Sequence, residues 1–176
     1  MKIMKPLFFS AMVSSLVLLS ACGNSESNGN NNDSSNASMS ESGSSSNNSS
    51  NSVVSKQGIQ LSSKQEVPIN NSPATGTADV SYNKDNKMLT FTLNWTGLTN
   101  KPSMAHIHGP AAKGVNAGVK HDLSKSLPKT AAGNFSDSVK VDGVAIIEDS
   151  LLGGFYYFNI HTPKNPGGEI RGQIEF

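Results

Sequence analysis

Cysteine is nearly absent from this 176-residue chain: Cys22 is the only one, so no disulfide can form within the chain. Charged residues make up 15% and aromatic residues 6%, and the formal net charge is +1 with neutral histidines. There is no basic stripe, so we expect no nucleic-acid partner. After the N-terminal segment, no run approaches the ~20 apolar residues of a membrane-spanning helix. No spacing of serine, histidine and aspartate suggests a catalytic triad, so we expect no enzymatic activity.

The N-terminal segment is the one place with a long apolar run. Lys2 and Lys5 precede the apolar residues 7–19, and the segment ends in Leu-Ser-Ala-Cys, whose last residue is Cys22. This ending resembles the lipobox of bacterial lipoproteins, which implies cleavage of a signal peptide, residues 1–21, and attachment of diacylglycerol to the cysteine sulfur. The alternative is an ordinary secretory signal with an incidental cysteine. We expect a lipoprotein anchored in the bacterial cell membrane and exposed on its extracytoplasmic side.

A stretch of serine, asparagine and glycine follows the cysteine. Residues 23–52 contain almost no apolar side chains, and such a composition cannot bury enough surface to offset the entropy of ordering. We therefore expect residues 22–55 to be the lipidated cysteine and a disordered linker, and residues 56–176 to be one folded domain. The alternative for the linker is an asparagine-rich interaction tract. Without residues 1–21, 12 basic and 13 acidic residues remain.

Alternation of apolar and polar residues predicts strands in the folded part. Residues 78–82 and 89–95 alternate with period two, and the turn-forming residues 83–86 lie between them, so this region is predicted to be a hairpin. Further strands are expected at Gly58–Leu61, Met104–His108, Asn134–Val141, Phe155–His161 and Glu169–Phe176.

The pattern between the expected strands completes the predicted fold. Val144–Leu152 has apolar spacing typical of a short helix and is followed by two glycines. Gly109–Leu127 is rich in glycine, alanine and lysine and is expected to be a long surface loop. We therefore predict an all-β fold, an antiparallel Greek-key β-sandwich with at most one short helix.

Five short motifs appear in order: QEVP at residues 65–68, ATGTA at 74–78, AHIHGPA at 105–111, NIHT at 159–162 and NPGGEIRGQ at 165–173. Together they resemble the CHRD domain, named after the repeats of chordin and also present in many bacterial exported proteins. The resemblance covers nearly all of residues 57–176. It implies an extracellular, β-rich domain and brings no catalytic residues with it. We expect a non-catalytic protein that binds or presents an unknown envelope or extracellular ligand.

Histidines form the candidate site. His106 and His108 flank one isoleucine in an expected strand, so their imidazoles project from the same face. His161 ends another expected strand and is the best candidate for a third ligand, and His121 is a candidate fourth from the loop. Three imidazoles with an open position suit copper or zinc. The His-Ile-His triplet also resembles the strand that supplies two copper ligands in copper/zinc superoxide dismutases, which share the Greek-key sandwich.

The sequence leaves other roles open for these residues. Histidines at strand ends also fix loops by hydrogen bonds, or they face a ligand-binding surface. The dismutase pattern needs more histidines, a zinc-binding aspartate and a disulfide, so dismutase activity is not expected. Glu169 and Arg171 flank one isoleucine and share a face. They are expected to form a structural salt bridge that fixes the last strand, and the alternative is a contact with an anion or a carbohydrate.

Overall fold

Alternating apolar and polar residues produce eight antiparallel strands in the computed structural model, which describes residues 52–176. A 3-10 turn at Ser63–Gln65 and the short helix α1 at Glu148–Leu152 are the helical segments of this range. The strands are β1 Val53–Ser62, β2 Thr75–Asn83, β3 Met88–Thr96, β4 Met104–His108, β5 Val119–Asp122, β6 Gly133–Lys140, β7 Tyr157–His161 and β8 Ile170–Gln173. The predicted all-β fold is confirmed. None of the helical segments in residues 52–176 has the length and apolar character that crossing a membrane requires.

The strands form a sandwich whose two halves enclose the core. Their hydrogen-bonded order is β5-β4-β7-β8-β1-β2-β3-β6. The rings of Phe91 on β3 and Phe158 on β7 lie with their centroids 5.0 Å apart, so the two halves face each other across the core. Pairing continues from one half to the other at a single register pair, Ser62 with Arg171. Strands β3 and β6, and likewise β4 and β7, are neighbours although other strands intervene along the chain, as expected for Greek-key connections.

The β2–β3 hairpin is confirmed. Asn83 lies opposite Met88, and the Asn83 side-chain oxygen accepts hydrogen bonds from the backbone N–H groups of Asp85 and Asn86. Lys87, in the turn, has a φ of 57°. The apolar residues of β3 are buried and the polar ones between them are exposed or half-buried, which is the alternation that the sequence displays.

Three differences from the expected elements change the assignment of a segment, and other strand ends shift by one to three residues. The strand expected at Gly58–Leu61 begins earlier, at Val53, within the segment assigned to the linker, because Val53 and Val54 pair with the end of β2. The segment expected to be a long loop contains β5, which pairs with β4. The helix expected at Val144–Leu152 starts only at Glu148, because the Asp142 carboxylate accepts backbone hydrogen bonds from residues 144–146 and holds them in a turn. The expected signal peptide, Cys22 and most of the expected linker lie outside the described residues.

Apart from Met104 at the start of β4, strands β4, β7 and β8 bury both of their faces. Ala105, Ile107, Phe158, Ile160 and Ile170 are completely buried and face the core. The opposite face, which we call the polar face, is also buried, and it consists of His106, His108, Tyr157, Asn159, His161, Arg171 and Gln173. Residues 109–118, the covering loop, accept hydrogen bonds from Arg171 and Gln173 through the carbonyl oxygens of Val115 and Ala111. The fold therefore encloses a polar layer outside its hydrophobic core.

Candidate metal centre

The structure brings His106, His108 and His161 together on the polar face. His106 and His108 project from one face of β4, and His161 ends the neighbouring β7, diagonally across from His106. One ring nitrogen of each histidine lies within 4.8 Å of the others. The closest pair is His106 Nδ1 and His161 Nε2, which are 3.1 Å apart. The register of β4 against β7 therefore produces the cluster.

The ring nitrogens that point away from the cluster have partners. His108 Nδ1–H donates to the Ala117 carbonyl at 2.9 Å, and His161 Nδ1–H donates to the Pro166 carbonyl at 3.0 Å. A carbonyl oxygen only accepts, so both Nε2 atoms carry lone pairs directed into the cluster. His106 Nε2 lies 3.6 Å from an Asp122 carboxylate oxygen. Metal-binding histidines are oriented by this kind of outer partner.

His108 Nε2 has no hydrogen-bond partner among residues 52–176, although it is buried. Leaving a buried polar atom unsatisfied costs about 1–3 kcal/mol. The other atom of this kind in the described range is the Tyr82 hydroxyl; burial and the neighbouring Glu148 carboxylate raise the pKa of Tyr82 to about 12. Because Nδ1 donates to the Ala117 carbonyl, Nε2 is the ring nitrogen of His108 left for the cluster, in which one ring nitrogen of each histidine lies within 4.8 Å of the others. A purely structural role for the histidines accounts for their outer nitrogens but not for this inner one.

Burial keeps the three imidazoles neutral. Burial lowers the pKa of His161 to about 4, against the hydrogen bond to the Pro166 carbonyl and together with the repulsion from His106 and His108. Burial also lowers the pKa of His106, against the opposing effect of Asp122, and it lowers the pKa of His108, against the hydrogen bond to Ala117. Neutral imidazole is the form that binds a metal, so the cluster is ready to act as a ligand set near neutral pH.

The fourth candidate, His121, does not join the cluster. It lies on β5 directly opposite Ile107, so it is in register with the core-facing position of β4 and not with His106 or His108. It is half-buried and lines a surface groove together with Asp122 and Lys125. The loop position expected for His121 was therefore wrong, because the short strand β5 fixes it against β4.

The expected salt bridge between Glu169 and Arg171 is not formed. The Glu169 carboxylate is completely buried and accepts hydrogen bonds from the hydroxyl groups of Ser72 and Thr99, from the backbone N–H of Thr99, and from the Thr162 hydroxyl. These four donors come from three different loops. Glu169 therefore links those loops by hydrogen bonds just before β8 begins.

Arg171 has a separate set of partners. Its guanidinium carbon lies 3.4 Å from the centroid of the Tyr157 ring, and its nitrogens donate to the Asn116 side chain and the Val115 carbonyl. The His108 ring stacks on the same tyrosine, with centroids 5.0 Å apart and an angle of 4° between the ring planes. Arg171 thus fixes both the covering loop and the aromatic ring that supports one member of the histidine cluster.

Glu66 and Asn159 are functional candidates that the sequence reasoning left without a role. The Asn159 amide donates to the Glu66 carboxylate, and Asn159 lies opposite His106 on one side and Arg171 on the other. Burial raises the pKa of Glu66 to about 7, against the lowering effects of Asn159 and Arg171. A Cβ on Gly168 would lie 2.7 Å from both Glu66 carboxylate oxygens, so that position must be glycine.

The sequence profile of the CHRD domain matches residues 58–174, which is well over half of the chain. The chain belongs to the CHRD domain family. No curated protein and no solved structure matches it. In this CHRD domain, the AHIHGPA motif forms β4 and the start of the covering loop, and the NIHT motif forms the end of β7 with His161. The NPGGEIRGQ motif supplies the turn that contacts His161 and then β8. Three of the five motifs therefore build the polar face, and family membership supports a binding-type domain.

Proposed function

We propose that this protein is a lipid-anchored protein of the bacterial cell envelope whose CHRD domain binds one copper or zinc ion through His106, His108 and His161. The observation that carries the proposal is the buried Nε2 of His108, which has no partner within residues 52–176 and faces a nitrogen of each of the other two histidines. An ion in that position satisfies the atom. The proposed role is binding, without catalysis.

The arrangement of donors supports an ion more than a hydrogen-bonded structural cluster. The Nε2 atoms of His108 and His161 both lack a proton and need a donor. His106 Nδ1 can supply one proton, and it lies 3.1 Å from His161 Nε2, so it satisfies that atom alone. His108 Nε2 then stays unpaired. Metal–nitrogen bonds of about 2.0–2.1 Å in a tetrahedral site place ligand nitrogens about 3.3 Å apart. The observed separation of His106 Nδ1 and His161 Nε2 is close to that value.

The anchoring part of the proposal comes from the sequence. The apolar segment that ends in Leu-Ser-Ala-Cys supports processing before Cys22 and lipidation of its sulfur. Two or three lipid chains bury enough methylene groups to hold a protein on a membrane. The serine- and asparagine-rich residues that follow give a tether, and the proposal places the metal-binding domain on the extracytoplasmic side of the membrane.

Metal analysis of the purified full-length chain tests the metal-binding function. The chain carries Cys22→Ser, so that no thiol contributes a ligand, and it is loaded with copper or zinc and then freed of unbound ions. We expect about one ion per chain. The ion should be lost in His108→Ala and kept in His121→Ala, whose histidine lies outside the cluster.

Two results would overturn the metal proposal. One is a loaded chain that holds no stoichiometric copper or zinc. The other is His108→Ala that retains as much metal as the His121→Ala control. Circular dichroism of each variant shows whether its β-structure is intact, so that loss of metal is not confused with loss of the fold.

A further inference from the structure

A methionine lies at the rim of the histidine cluster. Met104 is the first residue of β4 and sits directly opposite His161 in the register of β4 against β7. It is two residues from His106 on the same strand, so its side chain leaves the sheet on the face that carries the three imidazoles. In an antiparallel pair, side chains in directly opposite positions lie within contact distance. The backbone therefore places a thioether beside the cluster.

The exposure of Met104 is unlike that of its neighbours on this face. It is 39% exposed, whereas His106, His108 and His161 are buried. The apolar side chains that β4 gives to the core, Ala105 and Ile107, are completely buried on the other face. Met104 thus adds nothing to the core, and it lies where a flexible side chain with three rotatable bonds can turn toward the cluster.

The cluster itself offers only three donors. Among the histidine, cysteine, aspartate and glutamate residues of the described range, no fourth side chain joins the group. The Asp122 carboxylate lies 3.6 Å from the outer nitrogen of His106 and not beside an inner one. The Arg171 guanidinium stacks on Tyr157, the ring on which His108 also stacks. Three neutral imidazoles serve copper and zinc alike, so the identity of a fourth ligand decides between the two ions.

We infer that Met104 completes the site as a thioether ligand and thereby selects copper, held as Cu(I), over zinc. This inference rests on the proposed function, because it names the metal of the same site. Thioether sulfur is a soft ligand that favours Cu(I), and imidazole alone serves both metals. The methionine is therefore the residue that distinguishes the two ions.

Competition experiments with the full-length Cys22→Ser chain test the inference. Cu(I) affinity is measured without oxygen against a colorimetric Cu(I) chelator, and zinc affinity is measured against a zinc chelator. Met104→Leu keeps the apolar volume and removes the sulfur. Met88→Leu is the matched control, because Met88 lies on β3 at the hairpin turn. Removing a hydrogen-bond partner of a metal ligand weakens metal binding about 10–100-fold. Because Met104 is proposed as a ligand itself, we expect Met104→Leu to weaken Cu(I) binding by at least this factor. We expect zinc binding to stay unchanged, and the control to bind both metals as the parent does.

X-ray absorption of the Cu(I)-loaded parent gives a readout that does not depend on comparing affinities. A sulfur scatterer should accompany the nitrogen scatterers in the parent and in Met88→Leu, and it should be absent from Met104→Leu. The chain contains no thiol in this background, so methionine is the source of such a signal.

The outcomes separate this inference from the proposed function. If the parent binds neither ion, both fail. If the parent binds an ion that His108→Ala loses, while Met104→Leu binds Cu(I) as tightly as the parent, the metal site stands and the role of Met104 is wrong. A Cu(I)-loaded parent without a sulfur scatterer also overturns the role of Met104.

Discussion

On β3 the side chains that point away from the core are exposed or half-buried, whereas on β7 and β8 every residue is buried on both faces. Threonine and asparagine fill most of the outward positions of β3, and the Thr90 and Thr92 hydroxyl groups hydrogen-bond to Ser81 and Ser136 at the exposed surface. Histidine, asparagine, arginine and glutamine fill the corresponding positions of the other half. Burying such groups is costly unless each finds a partner. The second half therefore contains polar residues that are held in place for a purpose other than solubility.

The buried polar side chains of this half have specific hydrogen-bond partners. Arg171, Gln173 and Asn159 each donate to named acceptors in loops or neighbouring strands. The exception on the polar face is His108 Nε2, which is left without a partner within residues 52–176. In a layer where other side chains are satisfied, one lone pair without a partner supports the proposed position of the metal ion.

Arg171→Leu should produce the largest loss of stability, because it removes the hydrogen bonds of a buried guanidinium to the covering loop and its stacking on Tyr157. We expect a fall in the free energy of unfolding of about 3 kcal/mol. Thr96→Val on the exposed side of β3 is the control and should change it by less than about 0.5 kcal/mol. Urea unfolding of both variants gives the two values. Similar values would show that the buried polar face is no more constrained than the exposed one.

Gly168→Ala should have the next largest effect. The added Cβ would lie 2.6 Å from the Asn159 amide nitrogen and 2.7 Å from the Glu66 carboxylate oxygens, and the φ of 133° at this residue is unfavourable for alanine. A loss of about 2 kcal/mol is expected from the strain. Gly167→Ala is the matched control, because its Cβ would meet nothing within 4 Å. Equal thermal stability of the two variants would contradict the close approach of Glu66 to the turn.

Glu66→Gln should stabilise the metal-free protein at high pH. Burial raises the pKa of Glu66 from its ordinary 4.5 to about 7, so the folded state binds more protons than the unfolded state between these values. The carboxyl group therefore lowers stability as the pH rises through that window, by on the order of 2 kcal/mol once it is ionised. The glutamine variant lacks this loss. The advantage should be full above pH 7 and vanish below about 4.5; an advantage independent of pH would show that the carboxyl is not held protonated.

His161 works in the opposite direction. Its pKa is lowered to about 4 from 6.5, so the unfolded state binds more protons between these values and stability is lost as the pH falls through them. In the parent, the effects of His161 and Glu66 oppose each other over the shared part of the range. Removing Glu66 should therefore expose a rise of stability with pH between about 4 and 6.5, measured by urea unfolding of the metal-free Glu66→Gln chain.

Cys22→Ser should have the smallest effect on the stability of the folded domain, but it should abolish attachment of the protein to the membrane. Cys22 precedes the first strand, which begins at Val53, by about 30 residues that are rich in serine and asparagine, so we expect the thermal unfolding of the domain to be unchanged. The lipid should be absent, and the protein should leave the membrane fraction, because the proposed anchor is attached to that sulfur. Fractionation and labelling with a palmitate analogue measure both. A Cys22→Ser chain that stays lipidated and membrane-bound would contradict the anchoring proposal.

The sequence predicted the part of the fold in which one face of each strand meets water. The hairpin of β2 and β3 was visible because polar and apolar residues alternate along both strands. The strand β5 was missed because its four residues, Val119–Asp122, contain one apolar residue and no alternation. The short helix was predicted too long because apolar spacing does not reveal that the Asp142 side chain holds the preceding residues in a turn.

The sequence predicted the three histidines of the site but not the contact between the two strands that carry them. The pairing of His106 with His108 follows from the period of a β-strand, but the approach of His161 depends on the register of β4 against β7, which no local pattern encodes. The expected pairing of Glu169 with Arg171 was wrong because each finds partners in loops that the sequence places far away. Asn159 and Glu66 are 93 positions apart, so their contact had no signal in the sequence.

A crystal structure of the metal-loaded chain, with anomalous data collected at the copper or zinc edge, tests the central claim most directly. We predict a single anomalous peak at about 2.0–2.2 Å from His106 Nδ1, His108 Nε2 and His161 Nε2. A map without a peak among these three nitrogens, or with its peak elsewhere and His108 Nε2 still unpaired, would contradict it.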